Sequence, residues 1–131
     1  MQATGEFEVK LQPLETYAKG GAGIGLGRMS IDKNFYGDLE ANSQGEMLTA
    51  ITDVEGSAGY VALEQVVGSL QGREGTFVLQ HFGMAHRGTN SLILEVVHDS
   101  GTGDLTNLIG EMSINIDGCK HFYVFEYSLP E

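Results

Sequence analysis

Glu64, His81, Tyr60, His121 and Tyr123 are the side chains of this sequence best placed to do chemistry inside a fold. A carboxylate beside an imidazole raises the ring's basicity and fixes its tautomer. That arrangement serves proton transfer or recognition of a polar ligand. The same pair, buried and mutually satisfied, would only complete a core. The residue types therefore leave open whether the protein is catalytic.

Other constellations lead less far. The four histidines (His81, His86, His98 and His121) form no close ligand pair, and there is no CxxC. No metal and no cofactor is expected. Cys119 and His121 stand two apart on one strand without a third orienting group, so Cys119 reads as a small cysteine rather than a nucleophile. The run Gly20-Gly21-Ala22-Gly23-Ile24-Gly25-Leu26-Gly27 has neither GxGxxG nor P-loop spacing, and no helix follows it. It reads as a flexible loop, not a phosphate cradle. Asp99-Ser100-Gly101-Thr102 resembles the Asp-Ser/Thr-Gly motif of aspartic proteases, and Leu108-Ile109-Gly110 resembles their second element. In a homodimer, one such aspartate per subunit would share a proton with its mate. The motif stands late in the chain, however, and only eight residues separate Gly101 from Gly110. A glycine turn between strands accounts for it better.

The elements that must hold these residues repeat with a period of two, which predicts strands. Phe7, Val9 and Leu11 alternate with Glu6, Glu8 and Lys10 in a first strand, and 13–27 reads as loop. Met29, Ile31 and Phe35 begin a second strand. A third spans 38–51 with a break near Gly45, a fourth 59–70, a fifth 75–83 and a sixth 92–98. A turn follows over 99–104, then at most one short helical turn near 105–109. Segments 111–116 and 119–129 complete about eight strands. No stretch of ten or more residues predicts a helix. Many strands with glycine turns and no crossover helices predict an antiparallel meander, and eight of them can close into a small barrel.

Two hairpins set which residues share a face. An Asp117-Gly118 loop would pair Ile116 with Cys119, Ile114 with His121 and Met112 with Tyr123, turning His121 and Tyr123 inward. Around Gln71-Gly72-Arg73-Glu74, a two- or four-residue loop puts Tyr60, Ala62, Glu64 and Val66 on one face with Phe77, Leu79 and His81. Four loop residues would set Glu64 directly opposite His81.

Composition narrows the classes. The 131 residues fit one domain over 1–131, 41% hydrophobic and 19% charged, which excludes a disordered chain. No apolar run approaches the roughly 20 residues of a membrane helix, and Met1 to Glu6 does not read as a signal peptide. Glycine is 19 of 131 residues and proline 2, which favours tight turns and strand bends. A net charge of −11 repels phosphate backbones and anionic membranes, so neither nucleic acid nor membrane is expected as a partner. One cysteine excludes an internal disulfide, and a cytoplasmic location is the default.

Several runs together resemble an uncharacterised bacterial family, domain-of-unknown-function family 3224. They are Gly37-Asp38-Leu39-Glu40 with Gly45-Glu46, Gly56 to Glu64, Gly75 to His81, Gly101 to Leu105, and His121 to Tyr127. The resemblance spans roughly Gly5 to Leu129. It implies an eight-stranded antiparallel barrel similar to that of allene oxide cyclases, and no activity, since fold does not carry function.

The expected protein is thus an all-β barrel that binds a small, partly apolar molecule inside, with Tyr60, Glu64, His81, His121 and Tyr123 as its polar contacts. One alternative is an isomerase or cyclase in which Glu64 and His81 manage a proton. Another is a filled barrel acting through its surface, as a homodimer.

Overall fold

Side-chain alternation builds nearly the whole chain into strands, and the computed structural model describes residues 1–130. In order these are β1 (Gln2–Leu14), β2 (Gly20–Gly21), β3 (Ile24–Gly37), β4 (Leu39–Ile51), β5 (Ala58–Leu70), β6 (Arg73–His86), β7 (Thr89–Val96), β8 (Ile109–Asp117) and β9 (Lys120–Ser128). The long strands follow one another around an antiparallel meander, and β1 pairs with both β9 and β3. That double pairing closes the barrel and leaves no free edge there. Eight long strands form the wall, and β2 is a two-residue addition.

The strand ends define two different mouths. The β3–β4, β5–β6 and β7–β8 connections lie at one end together with the start of β1. Here the interior is packed solid by Leu39, Leu70, Phe77, Leu79, Val96, Met112 and Phe125. Phe77 and Phe125 stack with centroids 5.9 Å apart. A 3-10 turn, Gly103–Leu105, sits slightly earlier than the helical turn expected over 105–109, and Leu105 and Leu108 are both buried in this core. Asp99-Ser100-Gly101-Thr102 belongs to the same end and clamps the start of β6. Val78 N–H donates to Ser100 Oγ (3.0 Å), and Thr102 N–H donates to the Thr76 carbonyl (2.8 Å).

At the opposite end the wall is less regular. β7 and β8 pair only at Glu95–Glu111, and the register continues no further toward this end. Inward-parity side chains here are open to solvent: Ile114 is half-buried, and Leu92 and Ile116 are 39% and 62% exposed.

Three expectations about local structure need correction. The 13–27 segment is mostly strand: Gly20–Gly21 pairs with Ile24 and Gly25, and Gly25 and Gly27 already belong to the β3–β4 ladder. Glycine shows no apolar alternation, so backbone pairing there left no periodic trace. β4 runs unbroken through Gly45. The last hairpin turns at Gly118-Cys119, pairing Ile116 with His121 and Ile114 with Tyr123, so Cys119 is an exposed turn residue. Of the two loop lengths open for the β5–β6 turn, the shorter is found: two residues, which sets Glu64 opposite Leu79 and His81 opposite Ala62. The error in the last hairpin is a shift of two, so every side chain there except that of Cys119 keeps its expected face.

Candidate functional site

Halfway along the barrel, where the packed core gives way to the accessible end, four polar side chains point inward. Lys33 on β3, Ser43 on β4, Glu64 on β5 and His81 on β6 are all buried. Strand parity puts them there: Lys33 shares the inward face with Ile31 and Phe35, Ser43 with Ala41 and Gly45, Glu64 with Ala62 and Val66, and His81 with Leu79 and Gly83. Glu64 is the hub. Its Oε2 accepts from Lys33 Nζ at 2.8 Å and meets His81 Nε2 in a short hydrogen bond; its Oε1 accepts from Ser43 Oγ at 2.8 Å. Glu64 and His81 reach each other as diagonal neighbours across the β5–β6 ladder, a separation long side chains bridge. Gly45 lies opposite Glu64; a Cβ there would collide with the Leu63 carbonyl.

The electrostatics follow from this geometry. Burial pushes the Glu64 carboxyl up, but the His81 hydrogen bond and the Lys33 charge outweigh burial and hold it at about 2. Glu64 is therefore a carboxylate at neutral pH, with both oxygens occupied. Lys33 Nζ also sits 5.1 Å from the Phe7 ring and 5.7 Å from the Phe35 ring, each a cation–π distance. His81 commits Nε2 to Glu64, and its Nδ1 makes no hydrogen bond among the described residues.

Tyr60 stands between this network and the accessible end. Its ring centroid is 6.1 Å from that of His81. It lies across Gly83, the residue opposite it on β6, where any Cβ would strike the ring. Burial, then the Glu64 charge, raises its phenol pKa. Beyond Tyr60 opens a cavity of about 700 Å³ walled by Thr49, Ala58, Asn90, Leu92, Ile114 and Ile116 among others, and none of its lining residues is charged.

The five residues singled out from sequence fall into three places. Tyr60, Glu64 and His81 come together. His121 is half-buried on the other side of the interior, its ring 5.1 Å from Phe7. Tyr123 lies deeper, where its hydroxyl accepts from Leu39 N–H (2.8 Å) and donates to the Tyr36 carbonyl (2.9 Å). There it holds the β3–β4 turn in place. Lys33 and Ser43 escaped sequence reasoning. Their signal was available: each occupies the inward parity of an otherwise apolar or small-residue alternation. Among the described residues, no three His, Cys, Asp or Glu side chains gather where they could hold a metal ion, and no helix is long and apolar enough to cross a membrane.

Residues 3–127 match the family described as Protein of unknown function (DUF3224). A crystal structure of a DUF3224-family protein of unknown function from Shewanella oneidensis MR-1 is similar to the whole chain. It is 58% identical, with 100% of this chain and 98% of that one covered, at a TM-score of 0.97. No curated protein matches the sequence.

Proposed function

The chain belongs to the DUF3224 family, and from that footing we propose that it is a binding barrel whose accessible end takes a small, uncharged, partly apolar molecule. The observation that carries this reading is the uncharged cavity of about 700 Å³ in a chain of net charge −11. Ligand sites are concave and mostly apolar, with a few placed polar groups. Here those groups are Tyr60 at the inner end, His81 behind it, and Thr49, Asn90 and the half-buried His121 nearer the rim. Glu64 acts on the ligand through His81, whose tautomer it fixes. Tyr123 supports the floor from below. Exposed Cys119 suits a reducing, cytoplasmic compartment.

A second reading is favoured by the unpartnered His81 Nδ1. An isomerase or cyclase would use that nitrogen as a base, with Glu64 orienting the ring and stabilising its protonated form. Tyr60 would have to rotate off Gly83 to admit a substrate to it.

The test uses N-phenyl-1-naphthylamine, an uncharged apolar fluorophore. It is expected to bind the wild type with enhanced emission. Leu92→Glu, which puts a charge into an accessible part of the wall, is expected to weaken binding at least about tenfold without lowering the melting temperature. Absence of binding, or equal affinity in the two proteins, sinks the reading.

A further inference from the structure

A seam in the barrel wall is left unzipped. The β6–β7 and β8–β9 ladders both run to their turns, closing at His86–Thr89 and Asp117–Lys120. Between them, β7 and β8 meet only at Glu95–Glu111. In a two-residue hairpin the closing pair exchanges both hydrogen bonds, and such pairs alternate along the ladder. Thr89, Ser91 and Ile93 therefore direct their main-chain groups to β6, and Ser113, Asn115 and Asp117 direct theirs to β9. Asn90 and Leu92 on β7, and Ile114 and Ile116 on β8, turn an N–H and a C=O each toward the seam. Among the described residues no ladder or turn pairs them there. The seam is closed at Glu95–Glu111 and opens toward the accessible end, where the inward-parity Leu92 and Ile116 are exposed. Unpaired strand margins beside uncovered apolar side chains are a template for another strand.

We infer that this seam takes an extended peptide, which adds a strand against β7 and β8 and turns apolar side chains into the cavity. The inference rests on the cavity reading above for where those side chains go. The chemistry of the seam selects the occupant. Donors and acceptors repeat along both margins at strand spacing, a pattern that another backbone matches and a compact small molecule does not. The free margins run over about five residues, roughly 17 Å, the length of an ordinary strand. Side-chain alternation then sorts the peptide's two faces. One set lies beside Leu92, Ile114 and Ile116 over the uncharged cavity, and must be apolar. The other set faces solvent beside Glu95 and Glu111, with Glu126 directly across from Glu111. These three outward carboxylates are exposed and stand in one row. Like charges directly opposite one another are destabilising, so a lysine on the peptide's outer face relieves the row as it arrives. The seam has a margin on each side, so a single extended chain fits it. The rim of another folded barrel, backed by its own sheet, does not.

Fluorescence anisotropy with a fluorescein-labelled peptide, Lys-Val-Thr-Leu-Thr-Val-Lys-amide, reads the outcome. The peptide is expected to bind the wild type with a Kd below about 100 μM and to displace N-phenyl-1-naphthylamine. Methylating every backbone nitrogen between its two lysines keeps the side chains and removes the strand donors. That analogue is expected to bind at least about tenfold more weakly. Replacing both lysines by glutamate should also weaken binding, by a factor that shrinks with added salt. Asn90→Pro removes a seam N–H and leaves the β6–β7 bonds intact. It is expected to weaken the peptide severalfold and leave the fluorophore's affinity unchanged. A peptide that fails to bind at about 100 μM overturns the inference, as does a methylated analogue that binds as tightly as its parent. Where the fluorophore binds and the peptide does not, the seam inference falls and the cavity reading stands. Where the peptide binds, sensitive to methylation, and the fluorophore does not, the cavity reading alone falls.

Discussion

Acid should unfold this barrel through one buried carboxylate, that of Glu64. Glu64 is held at about 2 against an ordinary 4.5. A folded-state pKa below the unfolded value adds stability that is complete above the unfolded pKa and disappears as pH falls through the folded one. The window here runs from about 4.5 down to about 2. A displacement of that size is worth about 3 kcal/mol at neutral pH. Glu64 is almost wholly buried, so solvent screening takes little from that figure. Glu64→Gln removes the charge at nearly constant shape and leaves Lys33 buried without its counter-ion, a loss of about 3–5 kcal/mol by analogy with broken buried pairs. Urea denaturation of both proteins at pH 7, 5, 4, 3 and 2.5 isolates the effect, because the remaining carboxylates titrate alike in each. The stability gap is expected to be about 3 kcal/mol at pH 7 and 5 and to shrink steadily below pH 4.5. Parallel pH profiles, or a gap under about 0.5 kcal/mol at pH 7, would refute the assignment of Glu64 as an ionised hub.

Further perturbations probe the same architecture. Tyr123→Phe leaves Leu39 N–H buried without its acceptor and is expected to cost about 1–3 kcal/mol in urea melts, with little change in probe affinity. Gly83→Ala drives a methyl into the Tyr60 ring; it should lower stability by about 1–3 kcal/mol and change N-phenyl-1-naphthylamine binding, because Tyr60 has to leave its place. Cys119, in an exposed turn, should react with a disulfide reagent in the native protein as completely as in urea. Lys33→Met combined with Glu64→Leu should be far less destabilising than Glu64→Gln alone, measured in the same denaturation series.

The fold was legible because a strand's period of two survives errors of position. The predicted register of the last hairpin missed by two residues, and that of β5–β6 was open between two registers two apart, yet Tyr60, Glu64, His81, His121 and Tyr123 all kept their expected face. A miss of one would have turned every one of them outward. Depth along the barrel was not legible in the same way. Whether an inward residue lies at the packed end, the middle or the accessible end depends on how far each strand is staggered against its neighbours, and alternation holds no record of stagger. That is why Tyr123, at the β3–β4 turn, stood in the same set as Tyr60. Lys33 went unread for another reason. A lysine in an apolar row looks like a solvated interruption until a buried carboxylate two strands away in sequence is known to meet it.

The polar layer divides the barrel into a filled half and an accessible half, and its chemistry bears on which half it serves. Buried ion pairs are poor stabilisers: their mutual attraction roughly repays the loss of hydration, and well-packed apolar residues do as well or better. A floor of leucine and methionine would therefore seal the Phe77–Phe125 core at no greater cost than Lys33, Ser43, Glu64 and His81 do. What an apolar floor lacks is a fixed imidazole with one ring nitrogen left over. Lys33 neutralises the carboxylate and Ser43 occupies its second oxygen, so Glu64 has no capacity left for anything but His81. Three buried groups thus converge on the orientation of a fourth, beneath a tyrosine that glycine lets lie flat. On the proposed binding reading, such an arrangement serves to orient His81 rather than to add stability. If the doubly apolar Lys33→Met, Glu64→Leu protein folds as well as the wild type and binds the polar end of a ligand as well, that argument fails and the layer is packing alone.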